Sequence, residues 1–155
     1  MTAGRTAGWL AVPARWYLGA LFVSACLHKI AEPRSFAVDI ATYDILPLAL
    51  VNLAAIILPW VELAVGLMLL VGFRVRAAAL LVAGMMAVFI AALLLALARG
   101  LDMSCGCFAS QGAEHDPISR LTVLRDLAWL GLAGFVMLFD TGRAGLDRLL
   151  ERRTP

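Results

Sequence analysis

Four apolar stretches, each long enough to cross a bilayer, constrain this chain more than any other feature. They run from about residue 13 to 30, 48 to 71, 77 to 98 and 121 to 139. A hydrocarbon core is ~30 Å thick, and a helix rising 1.5 Å per residue crosses it in ~20 residues. The rest of the chain agrees. It is 63% hydrophobic and 15% charged, with a mean hydropathy of +0.90. A soluble domain is roughly half apolar and a quarter charged, so this excess cannot be hidden in one aqueous core. Arg5 and Arg15 ahead of the first stretch resemble a secretory signal. No small-x-small cleavage site leads into a soluble domain, however, and three more stretches follow, so it is read as a span. With no internal repeat, low-complexity tract or linker, the expectation is an all-α membrane protein. It is a single four-helix transmembrane bundle over residues 1–155, lodged in a bacterial inner membrane.

Local chemistry marks the boundaries. Glu32-Pro33 stops the first helix, because the residue before a proline disfavours the helical region. Gly72-Phe73-Arg74-Val75-Arg76 reads as a tight turn. Arg99-Gly100 supplies a cation and a glycine, as helix C-termini favour. Asp116-Pro117-Ile118-Ser119 restarts the chain, with Ser119 or Asp116 as the N-cap.

Charge predicts orientation, since Lys and Arg collect on the cytoplasmic side. The two termini and the short turn carry Arg5, Arg15, Arg74, Arg76, Arg143, Arg148, Arg152 and Arg153. The other side carries Lys29, Arg34, Arg99, Arg120 and the more embedded Arg125. Eight against five places both termini in the cytoplasm.

Ionisable groups inside spans are costly and usually paired. Glu62 lies ~20 Å below the outer surface by helical rise. Arg15 reaches a similar depth from the other side, so an Arg15–Glu62 pair is expected. The alternative is a protonated Glu62 serving a proton path or a quinone head group, since burial favours the neutral acid. Arg125 and Asp126 are adjacent and point ~100° apart. Arg125 is expected to reach the outer loop, or to snorkel to the interface. Asp126 is expected to meet His28 or Lys29. Gly66, Gly84, Gly131 and Gly134 read as close-packing positions. Trp9, Trp16, Tyr17, Tyr43 and Trp129 read as interface anchors near span ends, and Met85 and Met86 as filler.

The chemistry is concentrated in Cys105-Gly106-Cys107, in the polar loop before the fourth stretch. Two thiols one residue apart can form a disulfide, bind a soft metal or exchange with a partner's disulfide. On the outer face they meet a disulfide-permissive compartment. A ring closed across one residue is strained, and strained bridges are more oxidising. Arg125 would favour a thiolate there. Cys26 lies in the same leaflet, either as a packing residue or as a third redox thiol that relays the disulfide.

Several motifs together resemble the MauE/DoxX family of small four-helix membrane proteins. They are Arg15-Trp16-Tyr17-Leu18-Gly19, His28-Lys29 before Pro33, Tyr43, Leu58-Pro59 with Glu62, Arg99-Gly100, Cys105-Gly106-Cys107-Phe108 and Leu124-Arg125-Asp126. The Cys-Gly-Cys-Phe piece points to the MauE branch, where a glycine commonly follows the phenylalanine; here Ala109-Ser110 follow. The resemblance implies thiol–disulfide chemistry with a thioredoxin-like extracytoplasmic partner. It also implies a disulfide-rich client such as the methylamine dehydrogenase small subunit. Three functions follow. The first is a membrane thiol–disulfide oxidoreductase using Cys105, Cys107, Cys26 and Arg125, with electrons passing onward to Cys26 or a quinone. The bundle would be held by Arg15, Glu62, Lys29 and Asp126. The second is a non-catalytic anchor or assembly subunit of a DoxX-type redox complex. The third is soft-metal handling by Cys105, Cys107 and His115, for which a fourth ligand is not evident.

Overall fold

In a computed structural model, residues 3–101, 119–140 and 145–147 are described. Five helices follow one another: α1 (Ala3–Ala31), α2 (Pro33–Thr42), α3 (Leu48–Val71), α4 (Val75–Ala98) and α5 (Arg120–Phe139). No strand occurs among the described residues. Four segments have the length and hydropathy to cross a membrane: Ala7–Ala31, Leu48–Val71, Val75–Ala98 and Arg120–Phe139. The first runs further back than expected, because α1 continues through Pro13, which faces outward.

Around the bundle the neighbours are α1, α3, α4 and α5, closing back on α1. Small residues set the tightest contact. A Cβ on Gly19 would fall 2.9 Å from the Gly66 carbonyl oxygen, and one on Gly66 would fall 2.9 Å from Val23. The α1 and α3 backbones therefore approach as closely as glycine allows. Gly84, Gly131 and Gly134 do not act this way, since an added Cβ meets nothing within 4 Å at any of them. Two apolar clusters fill the interior. One joins Leu18, Phe22, Val65, Leu69, Val82 and Val136 with small alanines. The other joins Tyr43, Ile90, Leu93, Ala96 and Val123. Leu53, Ile56, Leu80, Val88 and Leu124 point outward, as lipid-facing residues do.

The two ends differ. At the turn end, α3 stops on Gly72 in the left-handed region (φ 70°), and Arg74 (φ 45°) precedes α4. Helix α4 has no cap of its own there. Asp147 provides it, accepting hydrogen bonds from the Arg74 and Val75 amides at 2.9 and 3.4 Å. Its own amide donates to the Gly72 carbonyl at 3.2 Å. Gly145 rests on Gly72 so closely that a Cβ on Gly72 would sit 2.6 Å from its Cα. The start of α1, the α3–α4 turn and the end of α5 thus share one end.

At the loop end, α1 stops at Ala31 and Pro33 opens α2, where its missing N–H costs nothing. Ten residues are too short to read as a span, which is why α2 was not expected. Phe36, Asp39 and Ile40, with Tyr43 at the C-cap, recur at helical spacing and face the bundle. Arg99 at the end of α4 donates to the Asp44 carbonyl at 3.2 Å, fastening the α2–α3 connection. Ser119, one of the two N-cap candidates, caps α5 by accepting from the Thr122 amide at 3.3 Å.

Candidate functional site

The expected Arg15–Glu62 pair does not form. Lys29 holds Glu62, its Nζ donating to both carboxylate oxygens at 2.8 and 2.9 Å. Arg15 instead meets Asp140 at 3.3 Å, with both side chains buried. Side-chain direction explains the exchange. A helical Cβ leans toward its own N-terminus. In the antiparallel α1–α3 pair, Gly19 opposite Gly66 fixes the register. Lys29 and Glu62 are then six positions apart along the axis, about 9 Å, and lean toward each other. Arg15 leans toward the turn end, away from Glu62. There it finds the C-terminal ends of α3 and α5, whose dipoles favour a cation.

Lys29 and Glu62 form part of the wall of a cavity of about 560 Å³. Its α1 side is Leu21, Phe22, Ala25 and Lys29, and its roof is Phe36, Asp39, Ile40 and Tyr43. Helix α4 supplies most of the rest, including Gly84, Met85, Met86 and Phe89, and Trp129 closes the α5 side. Met85 and Met86, expected as filler, serve as wall. Asp39 and the cavity itself were not anticipated, nor was Tyr43 as part of a cavity wall. The signal was available in the helical spacing of Phe36, Asp39, Ile40 and Tyr43.

The polar groups are well defined. The Lys29 ammonium lies 4.9 Å from the Phe36 ring centroid besides bonding Glu62. Burial raises the Asp39 carboxyl above its ordinary range, partly offset by His28 and Lys29. Burial, with help from Asp39 and Asp126, pushes the Tyr43 phenol well above its usual value, so it keeps its proton. Tyr43 is buried and meets Phe89 edge-on at 6.3 Å, which corrects its reading as an interface anchor. Tyr17 and Trp129 also sit mid-span rather than at span ends, joined by a Trp129 Nε1 to Tyr17 hydroxyl bond of 3.2 Å.

Arg125 is held on its own helix, with Nε 3.4 Å from Asp126 Oδ1 and the guanidinium 4.9 Å from the Trp129 ring centroid. Its long stem folds back across the 100° between neighbours. Asp126 is buried and does not take Lys29, whose ammonium belongs to Glu62. Cys26 is fully buried. Its thiol donates to the Val23 carbonyl at 3.1 Å and is absent from the cavity wall. Cys105, Cys107 and His115 lie outside the described residues. Leu101, the described residue before them, packs against the cluster that includes Tyr43.

Lipid-facing helices, internally paired charges and an amphiphilic cavity at one end define a multi-pass membrane protein with a candidate ligand site between its helices. A family profile described as "Methylamine utilisation protein MauE" matches residues 7–139. The chain belongs to that family, and is a multi-pass bacterial membrane protein. It is 36% identical over 120 residues to a methylamine utilization protein MauE of Paracoccus denitrificans, covering 77% of this chain and 63% of that one. It is 30% identical over 139 residues to a methylamine utilization protein MauE of Methylophilus methylotrophus, covering 89% and 73%. The chain thus spans somewhat less than two thirds of the Paracoccus relative. No solved structure matches.

Proposed function

We propose that this chain is a membrane thiol–disulfide redox protein acting in methylamine utilisation. Cys105 and Cys107 exchange disulfides with a thioredoxin-fold partner on the outer face, for the maturation of a disulfide-rich client such as the methylamine dehydrogenase small subunit. The observation that carries this reading is the Cys-Gly-Cys pair in the polar segment between the third and fourth apolar stretches. Family membership supports the pathway. The eight-to-five distribution of cations supports an outward-facing loop.

In the exchange, a thiolate of one protein attacks a disulfide sulfur of the other. A mixed disulfide forms, and the bond broken releases the second sulfur as thiolate. The remaining cysteine of the dithiol then displaces the partner. Cys107, nearer α5 and Arg125, is taken as the attacker. Each single Cys→Ser variant, run with the partner on a non-reducing gel, tests this. Cys105→Ser should accumulate a covalent adduct that reductant dissolves, and client maturation should fail in the double variant. Normal maturation by the double variant, with no adduct from either single one, would leave a non-catalytic assembly subunit.

A further inference from the structure

We propose that the cavity at the loop end is a binding site for a membrane quinone, with the ring beside Lys29 and Tyr43 and the tail passing out into the lipid. The choice of a redox ligand rests on the thiol–disulfide reading; the shape and polarity of the site do not.

The volume lies within the ~300–1,000 Å³ of small-molecule sites, which combine apolar walls with a few placed polar groups. The rim fits entry from the membrane. Leu58, Leu80, Leu81 and Val88 line the cavity and also face out of the bundle. A ligand there must therefore tolerate hydrocarbon along most of its length. Among the described residues, the charged groups on the wall are one cation and two carboxylates, Lys29 against Glu62 and Asp39. That balance disfavours an anionic phospholipid head or a fatty acid and favours a neutral one. Two of the three ammonium protons of Lys29 go to Glu62, leaving one for a ligand oxygen. Asp39 lies on the same wall with a raised affinity for protons. The Lys29 ammonium and this carboxyl suit ring carbonyls that become hydroxyls on reduction.

Tyr43, on the cavity wall, also packs with Leu93 and Ala96 of α4 and Val123 of α5. In the oxidising direction the two thiols lose two electrons and two protons and form the Cys105–Cys107 bond. The quinone takes both and becomes the quinol. The loop would then be reset for a further reduced partner.

Gly84 offers a clean test. It lines the cavity, and an added Cβ there meets nothing within 4 Å, so the side chain of Gly84→Leu starts in open space on the cavity wall. Trp129 is a reporter in the wall. The probe is decyl-ubiquinone, titrated into the full chain in nanodiscs, with Trp9, Trp16 and Trp60 replaced by Phe. Saturable quenching of Trp129 is expected, with Gly84→Leu raising Kd at least tenfold and leaving Tm unchanged. Should Gly84→Leu not fold, Lys29→Gln with Glu62→Gln takes its place and should weaken binding similarly. Linear quenching, or saturable quenching that neither variant weakens, overturns the site. So does a phospholipid that co-purifies one to one and is not displaced by the quinone. The Cys105→Ser/Cys107→Ser variant should bind with the wild-type Kd. It thereby separates this site from the exchange reaction, whose failure would remove the electron transfer and leave the binding intact.

Discussion

Among the described residues, two ion pairs join one span to another element of the bundle, and they are built differently. At the turn end, Arg15 and Asp140 are sealed, with 0% and 1% of their side chains accessible, at 3.3 Å. At the loop end, Lys29 and Glu62 are closer, doubly bonded and reachable at 7% and 16%, on the wall of a cavity. The first pair sits among helix ends fixed by Gly72, Gly145 and Asp147 and has nowhere to move. The second borders empty space and a short surface helix. Burial thus separates a closure from a site, although in sequence both are one cation and one acid in an apolar setting.

The sharpest way to break that contrast is to remove one partner at the sealed end. Arg15→Met leaves the Asp140 carboxylate buried, and a loss of about 3–5 kcal/mol is expected. Arg15→Met with Asp140→Leu should recover most of it. Reversible unfolding in detergent, followed by helix circular dichroism, measures both; equal losses for single and double variants would show that the pair is not a closure.

A smaller effect is expected at the cavity. Glu62→Gln should cost about 1–3 kcal/mol, because Lys29 keeps some access to solvent and ligand. A double-mutant cycle sharpens the point. Lys29 and Glu62 should couple by about 1 kcal/mol or more, while Arg15 and Glu62 should add within about 0.5 kcal/mol. Coupling between Arg15 and Glu62 would return the pairing to the one their depths suggested.

The smallest effect concerns pH. Asp39 has a folded pKa raised above its ordinary 3.8 by burial. Between the unfolded and folded values the native state therefore binds more protons, and stability falls as pH rises through that window. Above it the cost is constant. Asp39→Asn should raise the thermal midpoint slightly at neutral pH and leave it unchanged below the ordinary aspartate value. A midpoint lowered at neutral pH would mean that the carboxylate supports the fold.

Much of the fold was legible because it rests on long-range regularities of composition. The four spans, the Gly72 turn, the Arg99-Gly100 stop and the Ser119 cap all follow from local chemistry. Pairing was not legible from depth alone. Arg15 and Glu62 do lie deep in their spans, but direction decides contact, and Asp140 stood just beyond the last apolar stretch where it drew no notice. Glycines posed a related difficulty: Gly66 and Gly84 look equivalent until the facing helix is known. Helix α2 escaped because it is short and only half apolar, yet it roofs the candidate site.

The sealed pair also has a history in time. Its members are separated by 125 positions in the chain. At ~5–20 residues per second of synthesis, Arg15 emerges roughly 6–25 s before Asp140 exists. During that interval the first helix must keep its guanidinium at the membrane surface, since its stem can snorkel but its charge cannot stay in lipid without a counter-ion. Nascent chains halted before residue 140 should therefore hold α1 shallower than the finished protein does. In the finished protein Asp140 holds the arginine and Asp147 fastens the α3–α4 turn beside it, so the last helix closes on the first.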